Sequence, residues 1–231
     1  MSDNQVGTYK LVASPFHLDV RGKLSMGVLG KHLLNCADAY AAERGFDVVE
    51  QGGEHYTWVL SRLAIELEDL PSCHESFSIQ TWVENVYRLF ADRNFVICNK
   101  DEKPIGYVRS VWAMISMETR NPANLLDLHG DRITNSICEK ECPIAKPGRI
   151  KVSQQEAVSE YVAKYSDLDI NGHVNSIKYI EHILDIFPLD IYKKKALKRF
   201  EIAYVAESYY GDALSFYMEE KAEHEYDIEV K

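Results

Sequence analysis

Apolar residues recur at helical spacing in two places along the chain. Met26, Leu29, Leu33, Ala37 and Tyr40 share one face of residues 25–44. Val174, Ile177, Ile180, Ile183 and Leu184 do the same over 174–186, with Asn175, Lys178 and Glu181 between them. Strand patterns surround both segments. Residues 8–18 precede the first helix, and 55–66, 76–88, 91–98 and 104–117 follow it. Residues 156–165 precede the second helix. A shorter helical piece, 188–196, and strand patterns at 198–207, 213–221 and 226–231 follow it. Val59, Ser61, Leu63 and Ile65 alternate with Trp58, Leu60, Arg62 and Ala64; both sets are largely apolar, as in a sheet covered on both sides. Each half is therefore a strand, a long helix and a run of strands, which predicts an α+β fold with each helix wrapped by an antiparallel sheet.

Residues 119–152 separate the halves. They carry Pro122, Pro143, Pro147 and Gly148, little periodicity, and one short apolar patch, Leu125-Leu126-Asp127-Leu128. The expected organisation is an N-terminal domain over 1–118, a linker over 119–152 and a C-terminal domain over 153–231. The second domain is one strand short of the first in pattern, and the chain ends at Lys231 straight after a strand.

The halves also repeat at an offset of 150 residues. Asp19-Val20-Arg21-Gly22-Lys23-Leu24-Ser25 aligns with Asp169-Ile170-Asn171-Gly172-His173-Val174-Asn175, and His32-Leu33-Leu34-Asn35 with His182-Ile183-Leu184-Asp185. The slots of Asn171 and His173 are Arg21 and Lys23 in the first copy. Neither is a base near neutral pH, so any chemistry at this turn belongs to the second half alone.

With 231 residues, 46% hydrophobic and 27% charged, the composition is that of a globular protein. No window of eighteen apolar residues is present, so no membrane span is expected, and Met1-Ser2-Asp3-Asn4-Gln5 lacks the pattern of a secretory signal. A net charge of −10 argues against nucleic acid as a partner. Five cysteines at irregular spacing (Cys36, Cys73, Cys98, Cys138 and Cys142) suggest a reducing, cytoplasmic compartment and no metal site, since Cys138 and Cys142 have no second ligand pair. One basic run, Lys193, Lys194, Lys195, Lys198 and Arg199, interrupts the acidic background and reads either as a solvated helix end or as a docking patch for an acidic partner.

The turn Asp169–His173 concentrates the candidate chemistry. It places an acid, an amide and an imidazole at a helix N-terminus, where free N–H groups and the helix dipole favour an oxyanion. Asp and Asn are also good helix caps, so the turn alone is equally a cap. Glu207, at the end of the 198–207 strand pattern, is the second acid expected to join it.

These residues carry a family resemblance. Ser166-Asp167-Leu168-Asp169-Ile170-Asn171-Gly172-His173-Val174-Asn175-Ser176-Ile177-Lys178-Tyr179-Ile180 resembles the signature of the acyl-ACP thioesterases, and Tyr204-Val205-Ala206-Glu207 resembles the setting of their glutamate. Thr81-Trp82-Val83, Arg88-Leu89-Phe90-Ala91-Asp92-Arg93 and Met117-Glu118-Thr119-Arg120 resemble first-domain segments of the same family. The resemblance implies a tandem (double) hotdog fold with an acyl-chain pocket in the first domain, for which Met26, Leu29, Leu33 and Trp58 are candidate liners. It implies hydrolysis of fatty acyl-acyl carrier protein without a cofactor, with Asp169, Asn171, His173 and Glu207 as the catalytic set. Acyl carrier protein then becomes the acidic partner of the basic run. The exposed edges of hotdog sheets admit a homodimer.

One departure narrows the chemistry. Plant members of the family carry a cysteine after the glutamate, whereas this chain has Ser208, and all five cysteines precede residue 150. Water is the expected nucleophile. Asp169 is expected to hold the turn, N–H groups near His173–Asn175 to receive the oxyanion, and Glu207 with Asn171 to position the water. Either Glu207 or His173 serves as the base. An acyl-CoA thioesterase or hydratase on the same fold, or a non-catalytic acyl-binding hotdog protein, are the competing readings.

Overall fold

The computed structural model describes residues 5–148 and 150–231. Residues 1–4, which belong to the leader reading, and Arg149 of the expected linker lie outside it. The chain divides into two compact units, Met1–Pro147 with Ala196–Ala203, and Gly148–Lys195 with Tyr204–Lys231.

The first unit opens with β1 (Gly7–Val12), shorter than the 8–18 pattern because Pro15 starts a 3-10 turn over Pro15–His17. Helix α1 (Met26–Glu43) follows, its first turn capped by Ser25, whose hydroxyl accepts the Val28 N–H. All five residues of the expected stripe, Met26, Leu29, Leu33, Ala37 and Tyr40, are buried. Five strands succeed it: β2 (Val49–Gln51), β3 (Glu54–Leu67), β4 (Ser76–Val86), β5 (Ala91–Cys98) and β6 (Pro104–Ser116). Together with β1 they form an antiparallel sheet in the order β1-β4-β5-β6-β3-β2. Burying α1 and one face of this sheet supplies the main hydrophobic core.

The segment expected to be a linker packs on the sheet as well, its helices beside α1 and its later residues against Trp82 on the other face. Helices α2 (Leu125–His129) and α3 (Asp131–Thr134) put Leu125 and Ile133 into a core cluster with Tyr40, Phe46 and Met114, and Trp58 packs against that cluster. Further on, Cys142 and Ile144 pack with Trp82, Val96 and Cys98. Arg109 fastens this stretch by donating to the carbonyls of Ile144 (2.7 Å) and Cys142 (2.7 Å), and the Trp82 indole N–H donates to Lys140 O (2.7 Å). Low periodicity here reflects an irregular strap whose carbonyls are satisfied by side chains.

The second unit begins with β7 (Ser159–Val162), a 3-10 turn over Tyr165–Asp167, then α4 (Ser176–Asp185) and α5 (Leu189–Lys194). Helix α4 is shorter than the 174–186 pattern. Asn175 caps its start, and Pro188 disfavours helical geometry at Phe187 beyond its end. The next strand, β8 (Arg199–Ala203), leaves this unit and pairs with β3 from Arg62↔Ala203 to Glu66↔Arg199. Strand β9 (Ala213–Ala222) then pairs with β7 on one side and with β10 (Glu225–Val230) on the other. No helix among the described residues is long and apolar enough to cross a membrane.

Candidate active site

The 169–173 turn is built around one carboxylate. Asp169 Oδ1 accepts the N–H groups of Asn171 (2.8 Å) and His173 (3.3 Å), while its own N–H donates to His173 O (2.8 Å). Gly172 sits at φ +81°, a left-handed conformation that an L side chain adopts at a cost. Asp169 therefore acts as the holder of the turn rather than as a group facing outward. Asn171 is exposed, and among the described residues its carboxamide has no hydrogen-bonding partner.

Glu207 reaches the turn from the connection between β8 and β9. The expected strand over 198–207 stops at Ala203, so Glu207 lies in a loop. The pairing of β8 with β3 ends at Arg62↔Ala203, next to the register shift that β3 makes against β6 between Leu60 and Arg62. The loop is docked on the turn by its backbone. Val174 N–H donates to Ser208 O (2.8 Å), and His173 and Tyr209 form a β-bridge. This places Glu207 Oε1 3.3 Å from His173 Nδ1, with the two side chains 37% and 15% exposed. The Tyr209 ring stands edge-on to the imidazole, centroids 4.9 Å apart. A carboxylate and an imidazole in contact, shielded on one side and open on the other, form a unit that can orient water and take its proton.

The N–H groups expected to receive an oxyanion are already used. His173 donates to Asp169, Val174 to Ser208 O, and Asn175 to Asp167 O (2.8 Å); Ile177 N–H is taken by the Asn175 side chain (2.9 Å). Ser176 N–H, the first of α4, has no acceptor among the described residues and is the donor left at this helix end.

Sequence reasoning missed a second polar cluster beneath the turn. Asp167 is buried; its carboxylate accepts the Tyr161 hydroxyl (2.8 Å) and Lys164 N–H (2.8 Å), and lies 3.1 Å from His182 Nε2. Burial alone would push its pKa up, but these three partners outweigh it and hold the carboxyl below its usual range. Through Asp167 O the cluster also fixes Asn175 and hence the start of α4. Its signal in the sequence is the repeat: Asp167 and His182 occupy the slots of His17 and His32, whose rings sit 5.7 Å apart in the first unit.

The basic run is divided. Lys193, on α5, pairs with Asp190 (3.3 Å). Lys198 donates to Glu68 O (3.3 Å), and Arg199 on β8 is held between Glu66 and Glu201.

Both halves of the chain match known proteins. The profile of the acyl-ACP thioesterase N-terminal domain matches residues 9–130, and that of the acyl-ACP thioesterase C-terminal domain matches residues 150–231. A crystal structure of an acyl-ACP thioesterase from Bacteroides thetaiotaomicron superposes with a TM-score of 0.93 at 60% identity, covering 100% of this chain and 94% of that one. The 12:0-ACP thioesterase from Umbellularia californica shares the fold at 15% identity, with a TM-score of 0.78 over 98% of this chain and 88% of that one. Palmitoyl-acyl carrier protein thioesterase from Gossypium hirsutum is 26% identical over 177 residues, 74% of this chain and 43% of that protein. The chain thus spans about half the length of the plant relatives it matches. The fold is a tandem hotdog, and with both domain profiles matched and a histidine turn met by a glutamate, this chain belongs to the acyl-ACP thioesterase family.

Proposed function

We propose that this chain hydrolyses the thioester of a fatty acyl-acyl carrier protein, releasing the free fatty acid, by directing water at the carbonyl from the second-unit turn. The contact between His173 Nδ1 and Glu207 Oε1 carries the proposal. With Nδ1 turned to the carboxylate, Nε2 is the nitrogen that takes the proton of the attacking water, and Glu207 stabilises the imidazolium that forms. The free carboxamide of Asn171 steadies that water. Ser176 N–H receives the developing oxyanion; one such donor is typically worth about 3 kcal/mol. The bond broken is C–S. The proton held on His173 goes to the departing thiolate, whose conjugate thiol has a pKa of about 8.5 and needs little assistance. Asp169 holds Asn171 and His173 in place.

Lys193, Lys194, Lys195 and Lys198 are the cations we assign to docking of the acidic carrier protein. Arg199, held by two glutamates, contributes less. Cysteine usage supports a cytoplasmic location.

The test is a panel of matched acyl-ACP, acyl-CoA and short synthetic thioesters across chain lengths, run with the wild-type chain and with Lys193, Lys194 and Lys195 changed to Glu. Acyl-ACP should be the best substrate by kcat/KM. Charge reversal should raise its KM about tenfold, as expected when attraction between opposite charges becomes repulsion, and leave the synthetic thioester unchanged. Preference for CoA esters overturns the carrier assignment. Cleavage of none of them points to a binding protein.

A further inference from the structure

The register of the two units continues beyond the turn itself. Leu24 N–H donates to Pro71 O as Val174 does to Ser208 O, and Lys23 bridges Ser72 as His173 bridges Tyr209. His74 N–H donates to Ala13 O as Gly211 does to Ala163 O. Glu207 therefore corresponds to Leu70, and Tyr204 to Leu67. On the helices Tyr179 corresponds to Leu29. Leu29, Leu67 and Leu70 are all buried in the first unit. Where the first unit fills these slots with aliphatic core, the second places a carboxylate and two tyrosines.

The two tyrosines are not equivalent. The Tyr204 hydroxyl donates to Ser176 O (2.8 Å) and is satisfied. The Tyr179 hydroxyl is buried and has no hydrogen-bond partner, the one such side-chain atom found in the second unit among the described residues. It lies beside Ser208, short of a formed bond, and in the field of the Asp212 and Glu207 carboxylates. Burial pushes its pKa further above the ordinary tyrosine value. An unsatisfied buried hydroxyl costs stability and calls for an explanation. Leucine at the same slot in the first unit shows that the fold does not require it. Hydrogen bonds that matter in turnover are often long in the free enzyme and tighten when substrate binds.

We propose that Tyr179 is a positioning residue for Glu207: its hydroxyl closes on Ser208 during turnover and fixes the carboxylate against His173. The inference rests on the assignment of Glu207 and His173 above. A structural hydroxyl and a positioning one differ in what their removal does.

The experiment is Tyr179→Phe in the full-length chain, with steady-state hydrolysis of acyl-ACP and thermal unfolding measured together, alone and in combination with Glu207→Gln. We expect kcat to fall about tenfold with KM within about twofold, against a ceiling of about 100-fold for a misplaced catalytic group. Tm should stay level or rise, because an unpaired polar group is removed. Tyr204→Phe, which breaks a formed bond, should lower Tm. Because Tyr179 acts through Glu207, its substitution should add nothing to Glu207→Gln. An unchanged kcat, a kcat loss matched by a Tm loss, or a further full loss in the Glu207→Gln background each overturns the proposal. Wild-type kcat in Glu207→Gln itself would instead remove the assignment on which the proposal rests.

Discussion

In the first unit Asp19 gathers the N–H groups of Arg21 (2.8 Å) and Lys23 (3.2 Å), with Gly22 at φ +72°. In the second, Asp169 gathers those of Asn171 and His173 around Gly172 in the same way. The backbone turn is one design used twice, and the two copies differ in the side chains they carry. Arg21 folds back onto Asp19, and Lys23 pairs with Asp69 at 2.9 Å, which leaves two satisfied ion pairs. At the second turn the equivalent positions hold a side-chain carboxamide with no partner among the described residues and an imidazole in contact with a carboxylate. Glycine and aspartate are kept in both because the turn needs them. Asn171, His173 and Glu207 occur in one, where the proposed hydrolysis would use them.

That contrast can be broken most sharply at the carboxylates. Glu207→Gln should lower kcat/KM on acyl-ACP by about 10² to 10⁴, the range of acid–base contributions. Asp69→Asn, which removes the corresponding pair in the first unit, should leave catalysis unchanged and alter stability by less than about 1 kcal/mol, as for exposed ion pairs. Comparable catalytic losses in both variants would mean that the two sites are not distinct.

A smaller effect is expected at the shared aspartates. Asp19→Ala and Asp169→Ala each remove the acceptor of two backbone N–H groups, and urea unfolding should show a loss of about 1 kcal/mol for either. Activity distinguishes them. Asp169→Ala loosens the residues that carry His173 and should reduce kcat about tenfold or more, whereas Asp19→Ala should retain wild-type kcat.

Much of this contrast is legible in the amino-acid sequence. The stripe on α1 shows as helical spacing because one face of an 18-residue helix is core. The repeated Asp-x-x-Gly is visible because hydrogen-bonding chemistry restricts what each slot tolerates. Glu207 is visible as a partner of the turn, but its pattern suggests a strand, since Tyr204 and Val205 just before it favour strands. The strand on which β8 pairs, and the point where that pairing ends, lie far away in sequence. The fate of the N–H groups of Val174 and Asn175 is likewise hidden. Their acceptors, Ser208 O and Asp167 O, are set by tertiary pairing rather than by local pattern. The strap over the first sheet reads as a linker because Arg109 and Trp82 hold its carbonyls without imposing any period on its residues.

The most direct measurement is single-turnover hydrolysis of acyl-ACP by His173→Ala and Lys23→Ala, the same substitution at the same position of the two turns. We expect His173→Ala to lose at least about 10²-fold in rate and Lys23→Ala to match the wild type. A wild-type rate in His173→Ala, or an equal loss in Lys23→Ala, would contradict a single catalytic turn in the second unit.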